Sequence, residues 1–286
     1  MFKVYYQLAK PGIIYGNAVT AIAGFFLAAK GTINWPLFVA MLVGLSLVIG
    51  GACVFNNIYD RDIDASMART KDRATVTGQV SRPTALIYGT ILFLVGAWLL
   101  WRFTNNYALL AALVGFVTYV CMYTPLKRKT VHATLIGSIS GATPPVVGYC
   151  AVAGRFDLAA GLLFLILVFW QMPHFYAIAV RRLQDYAAAG VPVLPVAKSV
   201  KNAKVQILLY IIGFIAAALL LAVYGFAKYT YAVVVLLLGL WWLALSLQGF
   251  KKNPADDQIW AKKVFLFSLV VITILSVTMC LTAVLP

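Results

Sequence analysis

Nine apolar stretches follow one another along this chain of 286 residues, each close to the ~20 residues needed to cross a ~30 Å hydrocarbon core. Lipid offers backbone N–H and C=O groups no water, so only helices and closed barrels can span it. The stretches here are continuously apolar rather than alternating, which excludes a barrel. The chain is therefore read as an all-α polytopic membrane protein. Its helices are expected at 12–29, 36–59, 83–102, 106–124, 132–153, 158–180, 203–226, 229–248 and 263–285. Pro11 and Pro36 open two of them, where a missing N–H costs little. With 63% hydrophobic and 11% charged residues, a soluble domain, typically about 25% charged, is excluded.

The net charge of +15 would suggest nucleic acid in a soluble protein. Here it follows topology. The N-terminus and the linkers after the second, fourth, sixth and eighth helices, with the helix ends beside them, hold 19 of the 23 Lys and Arg, and the remaining linkers with their helix ends hold four. The positive-inside rule then predicts a cytoplasmic N-terminus and an outside C-terminus, and no nucleic-acid partner. The opening "MFKVYYQLAKPG" leads directly into a span, with no Arg- and Ser-rich leader, so a bacterial inner (plasma) membrane is expected. The four cysteines lie in apolar segments without metal-type spacing and read as small buried apolar groups.

On the predicted cytoplasmic side the linkers 60–82 and 181–202 are long, 125–131 is short and 249–262 intermediate. One nine-helix domain, 1–286, is expected, with possible half-repeats 12–124 and 132–248 and a final helix 263–285. The long linkers are where chemistry is sought.

"NNIYDRDID" (56–64) ends the second helix. It holds three of the eight acidic residues, in a chain without glutamate. Asn56, Asp60 and Asp64 recur every four residues, one face of a continuing helix. Carboxylates at a helix C-terminus cost a few tenths to ~1 kcal/mol each, and stacking them adds repulsion. A solvated helix end is the plain reading. Mg²⁺ is the sharper one, since it takes oxygen ligands from one or two carboxylates plus substrate phosphates. Basic residues gather in the same linkers: Arg69, Lys71 and Arg73; Lys127 and Arg128 in "YTPLKRKT"; Arg181 and Arg182 beside Asp185 in "RRLQDY". Acids that hold Mg²⁺, ringed by bases, describe a diphosphate site.

These motifs resemble the UbiA-type intramembrane prenyltransferases. "WQMPHFYAIAVRRLQDYAAAGVPVLPV" (170–196) and "GSISGATPPVVGY" (137–149) are similar to the branch of that family that farnesylates haem. The resemblance runs from "KPGIIYGN" (10–17) to the ninth helix. It implies nine helices in a ring around a central cavity, a cytoplasmic loop cap, Mg²⁺, and farnesyl diphosphate as donor. It implies haem B as acceptor at its 2-vinyl group, haem O as product, and a downstream haem-modifying enzyme or terminal oxidase as a possible partner. Asn56, Asp60, Asp64 and Asp185 are then the metal-binding and catalytic set, and Arg69, Lys71, Arg73, Lys127, Arg128, Arg181 and Arg182 bind diphosphate. Two departures stand out. Ala189 replaces a second Asp four residues after Asp185, and Ala74 follows Arg73 where the branch often has Pro.

A developing allylic cation needs a dry cavity and aromatic faces; Tyr123 and Trp170 are the candidates. Of two histidines, His174 lies within the sixth span after Pro173, as a haem-iron ligand or a hydrogen-bonded interior histidine. His132 reads as interfacial. Two other functions fit parts of the pattern: prenyl transfer to a quinone-type or other aromatic acceptor, and secondary transport. Transporter sites lie near the midplane on broken helices, and Pro144–Pro145 is the one such feature.

Overall fold

The computed structural model describes residues 1–251 and 253–284; Lys252 and the expected end of the ninth helix at 285 lie outside them. In chain order the helices are α1 (Phe2–Leu8), α2 (Pro11–Ala29), α3 (Trp35–Tyr59), α4 (Arg61–Ser66), α5 (Arg82–Phe103), α6 (Asn106–Val117), α7 (Thr124–Leu126), α8 (Ala133–Ala153), α9 (Leu158–Arg181), α10 (Leu183–Ala188), α11 (Leu194–Ala197), α12 (Val200–Val223), α13 (Tyr229–Leu247) and α14 (Asp257–Val284). Among the described residues nine spans are long and apolar enough to cross a membrane: α2, α3, α5, α6 through α7, α8, α9, α12, α13 and α14. The protein is a multi-pass membrane protein.

The span starts are written in the sequence. Asn34, Ser81, Asn105, Asp157 and Ser199 each accept a backbone N–H at the head of α3, α5, α6, α9 and α12, satisfying donors that a helix leaves open. Ser199 also explains why α12 begins at Val200 rather than at 203. The ninth span starts at Asp257, not 263. A buried ion pair, Asp257 Oδ1 to Lys204 Nζ at 2.5 Å, lets both charged residues enter the bundle. Lys204 thus sits inside α12, within the expected span 203–226.

The proline-containing spans stay whole. Pro144 cannot donate to Ser140 O, and the Thr143 hydroxyl donates to that carbonyl instead, at 2.9 Å. Helix α8 is continuous through both prolines, and α9 is continuous through Pro173. The broken helix that kept a transporter in view is absent from these spans.

Without a hydrophobic force between helices in lipid, small residues set the close crossings. A Cβ on Gly51 of α3 would lie 2.8 Å from Gly89 O of α5, so these two helices touch backbone to backbone. Helices α2, α8, α9 and α14 pack in a closed circuit, α2 on α8, α8 on α9, α9 on α14 and α14 on α2. Helices α8 and α9 are the most enclosed spans, and α5 and α6 are the most open to the surroundings.

Candidate active site

Helix α3 does not stop cleanly at Tyr59. Asp60 N donates to Asn56 O at 2.9 Å and Asp64 N to Asp60 O at 2.8 Å, which carries the helical repeat into α4. Asn56, Asp60 and Asp64 consequently share one buried face, at 3%, 2% and 4% exposure. Asp62 leaves on the other side, its side chain 69% exposed. The one-face reading of the spacing is what the backbone does here.

Each member of that face meets a base. Lys10 Nζ donates to Asn56 Oδ1 at 2.5 Å. Lys127 forms an ion pair with Asp60. Arg73 Nη1 lies 2.5 Å from Asp64 Oδ2 and donates to Asn57 Oδ1 at 3.2 Å. The Thr124 hydroxyl accepts from Asn56 Nδ2 at 3.0 Å and donates to Tyr119 O at 2.8 Å. Burial lowers the Lys127 ammonium from its usual range and lowers Lys10 to about 8, because a low-dielectric setting disfavours the charged form.

Asp60 Oδ1 is buried with no hydrogen-bond partner; Arg128 Nη2 lies 3.8 Å from it. A buried carboxylate oxygen left unpaired is costly, and a divalent cation is the group that would satisfy it. Oxygen ligands from Asp60, Asp64 and Asn56 match the donor set that Mg²⁺ takes. Among the described residues no three of His, Cys, Asp and Glu gather closely enough for one ion, so Asp185 stands apart from this pair. It lies on α10 with Arg182 Nη1 3.5 Å away.

The remaining predicted residues divide. Arg128 grips Asp62 with both Nη atoms at 2.6 Å and donates to Tyr59 O at 2.7 Å, and that bond holds the Asp62 carboxyl down at about 2. Arg69 and Lys71 are exposed; Arg69 lies close enough to Tyr186 of α10 to act on it electrostatically, which joins the two long linkers. Arg181 lies over the Phe265 ring at 5.9 Å, on the α14 side. Tyr123 stacks on Tyr119 at 5.5 Å, and Lys127 Nζ lies 5.8 Å from the Tyr123 ring centroid. Both tyrosines sit in a π-helical turn, Thr118–Tyr123, a widening frequently found at functional sites. Trp170 and His174 stack on each other at 4.9 Å, and His174 Nδ1 is 2.8 Å from Ser268 Oγ on α14.

Sequence reasoning missed Lys10, Asn57, Thr124, Tyr119 and Ser268 as parts of these arrangements. No sequence signal marked Lys10; in the structure its backbone is left-handed at φ 54°, a conformation that a non-glycine residue holds only where its surroundings fix it.

Residues 17–270 match the UbiA prenyltransferase family. A protohaem IX farnesyltransferase of Photorhabdus laumondii is 52% identical over 280 residues, covering 98% of this chain and 95% of that protein. The enzyme of the same name from Escherichia coli K12 is 52% identical over 287 residues, covering 100% of this chain and 96% of that one. Among solved structures, digeranylgeranylglyceryl phosphate synthase superimposes with a TM-score of 0.82 at 18% identity, over 99% of this chain and 98% of that chain. A UbiA homologue from Archaeoglobus fulgidus bound to DMAPP and Mg²⁺ gives 0.74 at 15% identity, over 95% and 99% of the two chains. At these identities the structures establish a shared fold.

Proposed function

The chain belongs to the UbiA prenyltransferase family, and from that premise we propose that it transfers the farnesyl group of farnesyl diphosphate to the 2-vinyl group of haem B (protohaem IX), giving haem O. The 52% identity to protohaem IX farnesyltransferases along the whole chain supports this acceptor. The observation that carries the chemistry is the buried face of Asn56, Asp60 and Asp64 opposed by Lys10, Lys127 and Arg73.

Asp60, Asp64 and Asn56 Oδ1 are the groups that would hold Mg²⁺. When bound it would supply the positive charge that eases departure of the diphosphate. The chain does the rest. Lys10, Lys127 and Arg73 exchange carboxylate and amide partners for phosphate oxygens, neutralising the leaving group in a site poor in water, where each charge counts for more. The allylic C–O bond breaks with its electron pair on diphosphate. The farnesyl C1 cation left behind meets the ring faces of Tyr119 and Tyr123. The terminal vinyl carbon of the porphyrin bonds to C1. The positive charge moves to the vinyl carbon next to the macrocycle, takes the oxygen of water, and releases one proton to solvent. That sequence produces a hydroxyethylfarnesyl group and needs no side-chain base before the C–C bond forms. Arg182, which Asp185 holds at 3.5 Å, and Arg69, which acts on Tyr186 of the same helix, are the groups of these two linkers that would engage the outer phosphate oxygens.

We place this site at the cytoplasmic face of a bacterial inner membrane, with the C-terminus outside. The charge asymmetry between the two sets of linkers supports that orientation. The test of the acceptor is competition. Purified protein in lipid nanodiscs, given farnesyl diphosphate, Mg²⁺ and equal haem B, hydroxybenzoate and naphthoate, should produce haem O by mass spectrometry. Prenylated hydroxybenzoate or naphthoate with haem untouched would overturn the acceptor and leave the diphosphate site standing.

A further inference from the structure

The only imidazole within a span among the described residues is His174, and its hydrogen bonds determine where its lone pair lies. Ser268 is fully buried on α14. Its hydroxyl has one hydrogen, and the Phe265 carbonyl, 2.6 Å away, can only accept it. The same Oγ lies 2.8 Å from His174 Nδ1. With its hydrogen committed to Phe265 O, the hydroxyl must accept from Nδ1. Nδ1 therefore carries the hydrogen, and the neutral ring keeps its lone pair on Nε2.

Nε2 makes no hydrogen bond among the described residues, and His174 as a whole is only half-buried. It is open to an incoming group. The ring is held in place as well as oriented. Trp170 stacks on it at 4.9 Å and 27°, Phe265 lies at 5.0 Å, and Trp170 Nε1 donates to Ser268 O at 2.9 Å. One residue of α14 thus fixes both aromatic members of the α9 pair. A metal-ligating histidine shows this arrangement: one ring nitrogen donates to a fixed acceptor while the other faces the metal.

We infer that Ser268 is a positioning residue that locks His174 in the tautomer with Nε2 free, and that Nε2 binds the iron of the porphyrin acceptor. The inference rests on the haem reading above and adds to it how the acceptor is held: by its metal, between α9 and α14. Losing the acceptor oxygen frees the ring to rotate or change tautomer, and outer-shell changes of this kind typically cost about 10–100-fold in metal affinity.

The test is a set of absorption titrations on full-length protein in nanodiscs, with haem B and with iron-free protoporphyrin IX as probes. In Ser268→Ala the dissociation constant for haem B should rise about tenfold and the haem absorption bands should move. Protoporphyrin IX binding and the KM for farnesyl diphosphate should hold. Ser268→Thr, which keeps the hydroxyl, should restore the wild-type spectrum. Ser268→Cys, nearly isosteric but a weak acceptor, takes the place of alanine if that variant does not fold. Unchanged haem affinity and spectrum in Ser268→Ala would overturn the inference. So would an equal loss of both porphyrins, which marks plain packing. These outcomes are read against a wild type that makes haem O; a wild type that takes no haem at all overturns the haem reading itself.

Discussion

Asp60 and Asp62 are two residues apart and face opposite ways: Asp60 is 2% exposed and engaged by Lys127, while the Asp62 side chain is 69% exposed and engaged by Arg128. On the proposed mechanism, that divergence separates a residue of the reaction from a residue of the frame.

Asp60→Asn and Asp64→Asn should each lower kcat by about 10²–10³ or more, the scale seen when one preorganised charge-stabilising group is lost. Asp62→Asn should stay within a few-fold of wild type, since its carboxylate serves Arg128 on an exposed surface, where ion pairs contribute little. Equal losses at Asp60 and Asp62 in the same turnover assay would refute the one-face geometry.

Lys10 gives the reaction a basic limb. Burial holds it at about 8, so below that pH it carries the charge that faces diphosphate and above it the charge is lost. The kcat/KM for farnesyl diphosphate should fall as pH rises through about 8, and Lys10→Arg, which stays protonated, should remove that limb. Stability runs the other way. The unfolded chain holds this proton up to 10.5, so between 8 and 10.5 it binds more protons than the folded chain and stability rises with pH. A pH–rate profile and a parallel melting series on both proteins separate the two effects.

Asp157 caps α9 by accepting from Ala159 N and Ala160 N, and it also holds the Tyr149 hydroxyl. Asp157→Ala should cost about 1 kcal/mol of stability, and Asp157→Asn much less, with turnover near wild type in both. Thermal melting in detergent alongside the haem O assay distinguishes this cap from a second catalytic carboxylate.

Lys204 donates to Gly249 O and Asp257 and lies 5.4 Å from the Trp260 ring centroid. Breaking this pair from one side, by Asp257→Leu or Lys204→Met, should destabilise by about 3–5 kcal/mol. The double variant Lys204→Met with Asp257→Leu should recover most of the loss, because no buried charge is left alone. The pair lines a cavity of about 620 Å³ with Val180, Leu183 and Phe250, away from Asp60, so activity of the folded fraction should change little.

The nine spans were readable because length and hydropathy are local properties, and the buried acidic face because a four-residue repeat on a helix is local too. Lys10 was not, since its meeting with Asn56 joins positions 46 apart and depends on how α2 packs. Arg128 and Arg181 show the same limit. Clustering in sequence put both beside the acids, but the direction of a long side chain is set by its neighbours, and here these are Asp62 and Phe265. Pro144–Pro145 pointed to a break that Thr143 repairs with a hydrogen bond that only the folded helix displays. Ser268 was one serine in an apolar run, and nothing in its spacing links it to His174.

The most direct measurement is a structure of the protein in lipid with a non-ionising thio analogue of farnesyl diphosphate and Mn²⁺ in place of Mg²⁺, with the metal located by its anomalous signal. The account predicts a metal peak between Asn56, Asp60 and Asp64, with diphosphate oxygens against Lys10, Arg73 and Lys127. A metal and diphosphate bound elsewhere, with Lys127 still paired to Asp60 and Arg73 to Asp64, would contradict it.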